Sequence, residues 1–414
     1  TLLLVMTVAG LAGLDHSPLL AQDDRPRLVL NMQGPHGRTR TVGFSRDSQR
    51  IYTAGFSKVV DIWDVGWNRA ANLPGPVAAT PVRTLRWEIA RGNRGVINVM
   101  AISPTREQIA IGGFSARGGN GDIIIYNTDR AEVETSLPPD RDNNTSLPGH
   151  RQSIISLDYS PDGNRLVSVS FDGEMWVWTA PLQEGAPWTP RKIRNVQGSL
   201  FDRQPAIFID NNTIVAAERT NPNLDRQWRL ALYNVQGVRL GVLPQIHDTR
   251  VSALTRSVDG TTWFSASGRD YNVQNSASSI YVWAGTRLQQ QPRVLRSHNR
   301  EPSAMSSGPG GLLAVSNFLS PVTNGGEQAI VELYDVAQGQ MIDQVAISQQ
   351  EHCLTCQISP DGTRLISHGD DLLELMVFDL VDANGQLLPK PLTGPPPVRL
   401  RGRGRDVFHV AFAT

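Results

Sequence analysis

Cysteine is nearly missing: Cys353 and Cys356 are the two in 414 residues. Disulfides therefore do not hold the fold, and a sizeable core must. Net charge is missing as well, with 39 basic side chains against 39 acidic ones. That balance gives no footing for binding nucleic acid through its phosphates or for a polybasic contact with a membrane surface. Lysine is scarce, at Lys58, Lys192 and Lys390; the many arginines read as the mark of a GC-rich genome. No apolar run reaches the roughly 20 residues that a spanning helix needs, so no membrane span is expected in the mature chain. Motifs of chemistry are also wanting: there is no Gly-x-Ser-x-Gly elbow and no His-Glu-x-x-His. The Gly-rich stretch 112–121 lacks a following helix and a Gly-Lys-Ser/Thr. Asp140, Asp142 and Asn144 start like a calcium loop, but Thr145 stands where Gly is required and Arg151 where Glu should close it. Cys353 and Cys356 have no second pair of ligands for zinc and fall at core positions of a strand. No cofactor and no metal are expected.

The longest apolar run, residues 2–14, is followed by Pro18, Ala21 and the polar Gln22-Asp23-Asp24. This reads as a signal peptide or a disordered N-terminal segment over residues 1–24, with export to a periplasmic or extracellular space expected ahead of the alternative, a buried N-terminal strand. Thr1 is not an initiator Met, so the natural start is expected upstream.

What is present is repetition. The clearest unit runs Gly149-His150, Ile154, Leu157, Tyr159, Ser160-Pro161-Asp162-Gly163, Leu166, Ser168, Ser170, Asp172, Trp178. The turn recurs as Ser45-Arg46-Asp47-Ser48, Ser103-Pro104, Ser257-Val258-Asp259-Gly260 and Ser359-Pro360-Asp361-Gly362, with degenerate copies around Phe208 and Ser307. A terminal aromatic recurs as Trp63, Tyr126, Trp178, Tyr233, Trp283, Tyr334 and Phe378. The period is about 52 residues, longer than the roughly 40–45 of a plain unit, so loops have been added. Gly-His, Ser-Pro-Asp-Gly and a closing Trp or Trp-Asp resemble the WD40 repeat, and the resemblance covers nearly everything from His36 onward. It implies an all-β chain: a seven-bladed WD40-type β-propeller of four-stranded antiparallel blades over residues 25–401.

Each part has a physical role. Asp-Gly supplies the positive φ of a tight hairpin. Ile154 and Leu157, like Val251 and Leu254, should pack toward neighbouring blades, and the terminal aromatic should fill the wedge between sheets. The resemblance also implies a hydrogen-bonded chain inside a blade. His150, Ser168 or Ser170, Asp172 and Trp178 match it, as do His247, Ser265 or Ser267, Asp270 and Trp283. These residues are structural, tolerated in a core because they satisfy one another. Blade one has His36 out of register, blade two has Asn93 for the His, blade four has almost none of the set, and His352 is out of register. Those blades are expected to rely on apolar packing.

At the ends, residues 27–32 alternate well enough to be a closing outer strand, and 402–414 restart the pattern as a truncated eighth repeat or a following domain. The resemblance allows a fused caspase-like peptidase or kinase downstream, with this region as its regulatory arm. Between turn serine and terminal aromatic, blades two, four, five and six are 23 to 27 residues long, against 18 or 19 in the others. The additions, near 114–121, 219–227, 269–278 and 317–328, fall between strands two and three, on the face of the Gly-His loops by the family geometry. That face carries Arg38, Arg94, Arg117, Arg151, Arg226, Arg250, Tyr271 and Arg300, candidates for binding a protein or peptide with acidic groups. The expected function is a non-catalytic interaction scaffold; the alternative is a propeller hydrolase or lyase with its site at the channel mouth.

Overall fold

Apolar residues in alternation, a Ser-x-Asp turn and a second alternating run make one antiparallel hairpin, and the chain builds that hairpin again and again. The computed structural model describes residues 37–401 except 69–72, 75, 79, 87–93, 115–120, 139–147, 172, 184, 196–205, 220–227, 248, 269–277, 287, 289–290, 299–300, 318–328, 349–352 and 370–373. The signal-like segment 1–24, residues 27–32, His36, His352 and the restart at 402–414 lie outside the described residues.

The turns explain why Ser and Asp recur. Ser160 Oγ donates to Asp162 Oδ1 at 2.5 Å and accepts from Arg165 N at 2.9 Å, while Asp162 Oδ1 also accepts from Asn164 N. Ser45 with Asp47, Ser257 with Asp259 and Ser359 with Asp361 repeat the arrangement. Gly163, Gly260 and Gly362 take φ of 68°, 68° and 74°, as a tight hairpin requires. Blade four does the same with Asp210, which accepts from Asn212 N and Thr213 N.

Seven four-stranded antiparallel sheets result, each in chain order from an inner to an outer strand. Blade three is Ile154–Tyr159, Arg165–Ser170, Glu174–Thr179 and Thr189–Asn195. The other inner strands are Thr39–Phe44, Ile97–Ile102, Ala206–Phe208, Val251–Arg256, Pro302–Ser307 and Cys353–Ile358. Each touches the inner strand of the next blade, and Cys353–Ile358 touches Thr39–Phe44, so the ring is closed. In blade four the described part of the inner strand is Ala206–Phe208.

The core is divided into seven clusters among the described residues, one in each space between neighbouring blades. Every terminal aromatic is buried and faces the preceding blade: Trp178, for instance, packs with Ala110 and Ile125 of blade two, and Phe378 with Leu312 and Val331 of blade six. Cys356 is a buried, free thiol in the wedge between blades six and seven, as its core position predicts.

Closure uses the last blade's own chain. Its outer strand is Val398–Arg401, paired to Glu374–Asp379, so the outer place considered for residues 27–32 is already filled. Arg364 Nη1 donates to Val65 O at 2.8 Å, Asp361 N donates to Ser48 Oγ at 3.1 Å, and Trp63, Phe44 and Val42 share a cluster with Ile366, Val377 and Leu400.

The polar chains exist where expected and are resolved to one serine each. Ser168 Oγ lies 2.6 Å from His150 Nε2 and accepts from Trp178 Nε1 at 2.9 Å; Ser265 Oγ lies 3.3 Å from His247 Nε2 and accepts from Trp283 Nε1 at 2.9 Å. Asp172 and Asp270 lie outside the described residues. Blade one carries an unforeseen version, Trp63 Nε1 donating to Thr53 Oγ1 at 3.0 Å.

The expectation of apolar packing is corrected for blade one by that bond and for blade four by a charged pair, which blade six shares. There the terminal aromatic is a tyrosine, whose hydroxyl must donate, and a buried glutamate accepts: Tyr233 to Glu218, and Tyr334 to Glu332 at 3.1 Å. Each glutamate is neutralised by arginine, Glu218 by Arg239 at 2.7 Å and Glu332 by the buried Arg296. A carboxylate in such a wedge is tolerable only with its countercharge beside it.

Replacing Ser168 with Ala removes the one oxygen shared by His150 and Trp178. The expected loss is about 2 kcal/mol, the cost of stranding buried donors, read as a lower urea midpoint with an unchanged slope; Ser168→Thr should recover most of it. An unchanged midpoint in Ser168→Ala would show that the shared oxygen contributes nothing.

Candidate functional site

Antiparallel register places the two ends of the ring. Ile154 pairs with Ser170 while Tyr159 pairs with Leu166, so the Gly-His loops and the connections between strands two and three share one face, and the Ser-x-Asp turns crown the other. A bridge between Gly121 and His150 joins the long blade-two connection to the next Gly-His loop.

On the Gly-His face the candidate arginines separate. Arg38 and Arg40 stack on Phe56, 5.8 and 4.8 Å from its centroid, a cation–π contact, and Arg40 Nη1 donates to Asn98 Oδ1 at 3.2 Å. Arg250 is paired at 2.7 Å with Glu301, whose side chain is 4% exposed. Arg94 and Arg151 are exposed. Arg117, Arg226, Tyr271 and Arg300 lie outside the described residues, so their place on this face is not described. Gly-His arginines are thus partly committed to the fold, holding loops on Phe56 and bridging blade five to blade six.

The opposite mouth holds a feature that the sequence reading passed over. A cavity of about 570 Å³ opens at the turn end of the channel, lined by residues of all seven blades. Phe44, Ile102, Leu157, Ile207, Leu254 and Met305 make its apolar wall. Across it runs Arg256. Its guanidinium pairs with Asp158 at 2.6 Å and donates to Phe208 O at 3.1 Å and Tyr159 O at 3.0 Å. Phe208 N donates to the same Asp158 Oδ2 at 2.8 Å, and Ser307 Oγ donates to Arg256 O. One side chain therefore ties blades three, four and five together, and its backbone ties in blade six. Burial pushes the Asp158 carboxyl up, opposed by the charge of Arg256 and the Phe208 N–H. Among the described residues no group of three or more His, Cys, Asp or Glu is placed to hold a metal, and no helix is long and apolar enough to cross a membrane.

The profile of the family "WD domain, G-beta repeat" matches residues 142–179, which include the first three strands of blade three. Over those residues the chain is similar to a WD40 repeat. Over 178 residues it is 25% identical to the Protein LST8 homolog of Drosophila melanogaster, covering 36% of this chain and 54% of that protein. Over 189 residues it is 28% identical to Protein HIR1 of Gibberella zeae, covering 43% of this chain and 17% of that protein. The match therefore spans about half of one relative and a sixth of the other. The C-terminal WD40 domain of Sif2 superposes with a TM-score of 0.52 at 15% identity, over 86% of this chain and 85% of that one, a likeness of fold.

Within the WD40 pattern, Arg256 had a legible signal. The last residue of the inner strand is Phe44, Ile102, Tyr159, Phe208, Ser307 or Ile358 in the other blades; a charge at that position in blade five has to find a partner. Its partner, Asp158, comes from two blades away.

Arg256→Ala is expected to cost about 2 kcal/mol, below the 3–5 of a fully buried pair because both side chains are about a fifth exposed. The urea midpoint checks this, and Arg256→Ala/Asp158→Leu should recover part of it by removing the stranded carboxylate. No recovery in the double variant would refute the pairing.

The buried imidazoles set a pH dependence. His247 and His368 are pushed down to about 3 by burial, with the charge of Arg38 adding to the effect on His368. Both ring nitrogens of His368 lack a partner among the described residues. The unfolded chain takes up these protons below about 6.5, the folded chain near 3, so stability falls as pH drops through that window, by up to about 1.4 kcal/mol per unit per group. His368→Leu should flatten the fall of the urea midpoint between pH 6.5 and 4.5; an equal slope would remove His368 from the account.

Proposed function

We propose that this propeller is a non-catalytic scaffold that binds a protein or peptide partner. What supports the reading above all is how its reactive side chains are used. His150 and His247 are locked to serines inside blades, His368 is fully buried, and the one ion pair in the turn-face mouth is neutralised within itself. A ring that commits these three imidazoles to its packing presents loops and shaped mouths, which suit recognition. The WD40 relatives are consistent with this reading through the shared fold and repeat.

The face proposed for a larger protein partner is that of the Gly-His loops, where Arg94 and Arg151 are exposed and guanidinium forks suit acidic groups. Arg38, Arg40 and Arg250 would hold the loops rather than touch the partner. With Arg94→Glu/Arg151→Glu, quantitative affinity capture from the native source should lose about fivefold of the specific partner, since rim charges govern encounter, while the unfolding midpoint stays put. Undiminished capture would remove this face from the proposal.

A further inference from the structure

Around the turn face most neighbouring blades are stitched together. Arg46 pairs with Glu107 at 2.8 Å across blades one and two, and Thr105 Oγ1 donates to Asp162 O at 3.2 Å across two and three. Asp162 N donates to Asn211 Oδ1 at 2.9 Å across three and four, and Asp361 N to Ser48 Oγ across seven and one. The packing is tight enough that a Cβ on Gly163 would lie 2.1 Å from Thr105 Oγ1, and one on Gly362 2.6 Å from Pro309 of blade six.

The blade-five turn breaks this pattern. A Cβ on Gly260 would meet nothing within 4 Å, where Gly163 and Gly362 abut the preceding blade; toward blade six the side-chain acceptor that Asn211 and Ser48 offer to blades three and seven has no counterpart among the described residues. Instead a notch of about 240 Å³ lies between blades five and six, walled by Val258, Phe264, Leu312 and Val336. Its floor is Gly308-Pro309-Gly310-Gly311, where the usual turn is replaced by a 3-10 turn with Gly310 and Gly311 at φ of 70° and 79°. This turn offers almost no side chains to fill the space. Ser257, Val258 and Ser307 line both the notch and the 570 Å³ mouth, so the two adjoin. Val258, where blades three and seven carry Pro161 and Pro360, is 58% exposed.

Charge distinguishes the same turn. In blades one, three and seven an arginine follows the turn serine by five residues: Arg50, Arg165 and Arg364. Arg165 lies 3.9 Å from Asp162, and Asp47 acts on Arg50. In blade five the position is Thr262. Asp259 is held below the ordinary carboxylate range by the Ser257 hydroxyl and by the Thr261 amide and hydroxyl, and it lines the notch with no arginine of its own hairpin beside it. At the outer end Arg293 is engaged with Val336 O.

We propose that the turn-face mouth and the notch between blades five and six bind an extended peptide segment, an apolar side chain entering the mouth or notch and an adjacent Lys or Arg meeting Asp259. The inference rests on the reading of the protein as an interaction module but not on its arginine face. A mouth within the range of about 300–1,000 Å³ typical of ligand pockets takes a side chain and its backbone, and a fixed carboxylate at the rim selects a basic neighbour. Phosphate-bearing ligands are disfavoured by the same carboxylate.

The test uses the full chain and two soluble fluorescent heptapeptide pools. Both carry Phe, Leu or Ile at one fixed position; two residues away the first has Arg or Lys and the second Asp or Glu. Selection should enrich the basic pool. Peptides so enriched should bind about tenfold more weakly to Thr262→Arg, which supplies the cation that sibling turns have, and to Asp259→Asn, which keeps the turn's hydrogen bonds. Val258→Asp should abolish binding, while the melting temperature of Thr262→Arg is unchanged and Arg94→Glu/Arg151→Glu binds peptide as the parent does. Equal enrichment of the acidic pool, or full affinity in Thr262→Arg, overturns the proposal. So does self-association that Val258→Asp abolishes, because the notch would then belong to a second copy. Loss of peptide selection with partner capture intact would end this inference and leave the scaffold reading standing.

Discussion

A large ring with a single polar atom, set at the end of every third strand, governs how these seven sheets stand against one another. The ring supplies the apolar volume that keeps neighbouring blades splayed, and its polar atom decides what else has to be buried there. Tryptophan brings an N–H and is met by a hydroxyl at one fixed place in the second strand: Thr53, Ser168 and Ser265. Tyrosine brings an O–H and is met by a glutamate in blades four and six, and the glutamate then demands an arginine. Phenylalanine in blade seven brings nothing, and Ser367 at the same strand position turns to the Thr355 carbonyl instead. The blades are therefore one solution to a single problem, with three chemistries selected by one residue. In blades four and six the donor and its acceptor have changed together, whereas in blade two the buried Tyr126 hydroxyl has no partner among the described residues.

The same pairing of donor with acceptor spans blade four on the turn face. Arg256 reaches over its end to Asp158, using the carbonyls of Phe208 and Tyr159 as further acceptors. The pair is only about a fifth exposed, so it carries a desolvation cost. That cost is offset by directed bonds that fix blades three, four and five in one geometry, a gain in specificity as much as in stability. The pair also crosses a channel mouth whose lining is mixed, apolar residues alternating with Arg46, Gln357 and several serines.

Much of this could be read from the chain. The turn serines and aspartates, the terminal aromatics and the Gly-His pairs gave seven blades and the positions of their wedges, because each depends on local backbone geometry and on period. The pairing of Ser168 with Trp178 rather than Ser170 was open, since both serines lie on the same face of one strand and only their position along it separates them. The charged networks of blades four and six were hidden for a different reason. Arg239 lies 21 residues from Glu218 and Arg296 lies 36 from Glu332, so no short motif announces them. The arginines of the Gly-His loops were legible as charges but not as contacts: Phe56 lies on another strand connection from Arg38 and Arg40, and Glu301 opens the next blade after Arg250. Arg256 was visible as a charge at an apolar position, yet the reading favoured the face where loops had grown and so overlooked the opposite mouth.

Repetition itself shows where such a ring differs from a mere frame. If seven positions are equivalent, sterics alone would stitch every turn to the next, as five of the joints on the turn face are, through Glu107, Thr105, Asn211, Pro309 and Ser48. At the joint between blades five and six the stitching residues are exchanged for glycines, a proline and an exposed Val258, and the balancing arginine is exchanged for Thr262. Each exchange forgoes a favourable contact that the sibling blades show to be available, so none follows from the demands of folding. By sequence length, the longest connections between strands two and three also belong to blades four to six. Both departures thus fall in one sector of the ring. The sector of blades seven, one, two and three keeps the pattern on the turn face and acts as the stiff frame against which the open notch is held in shape.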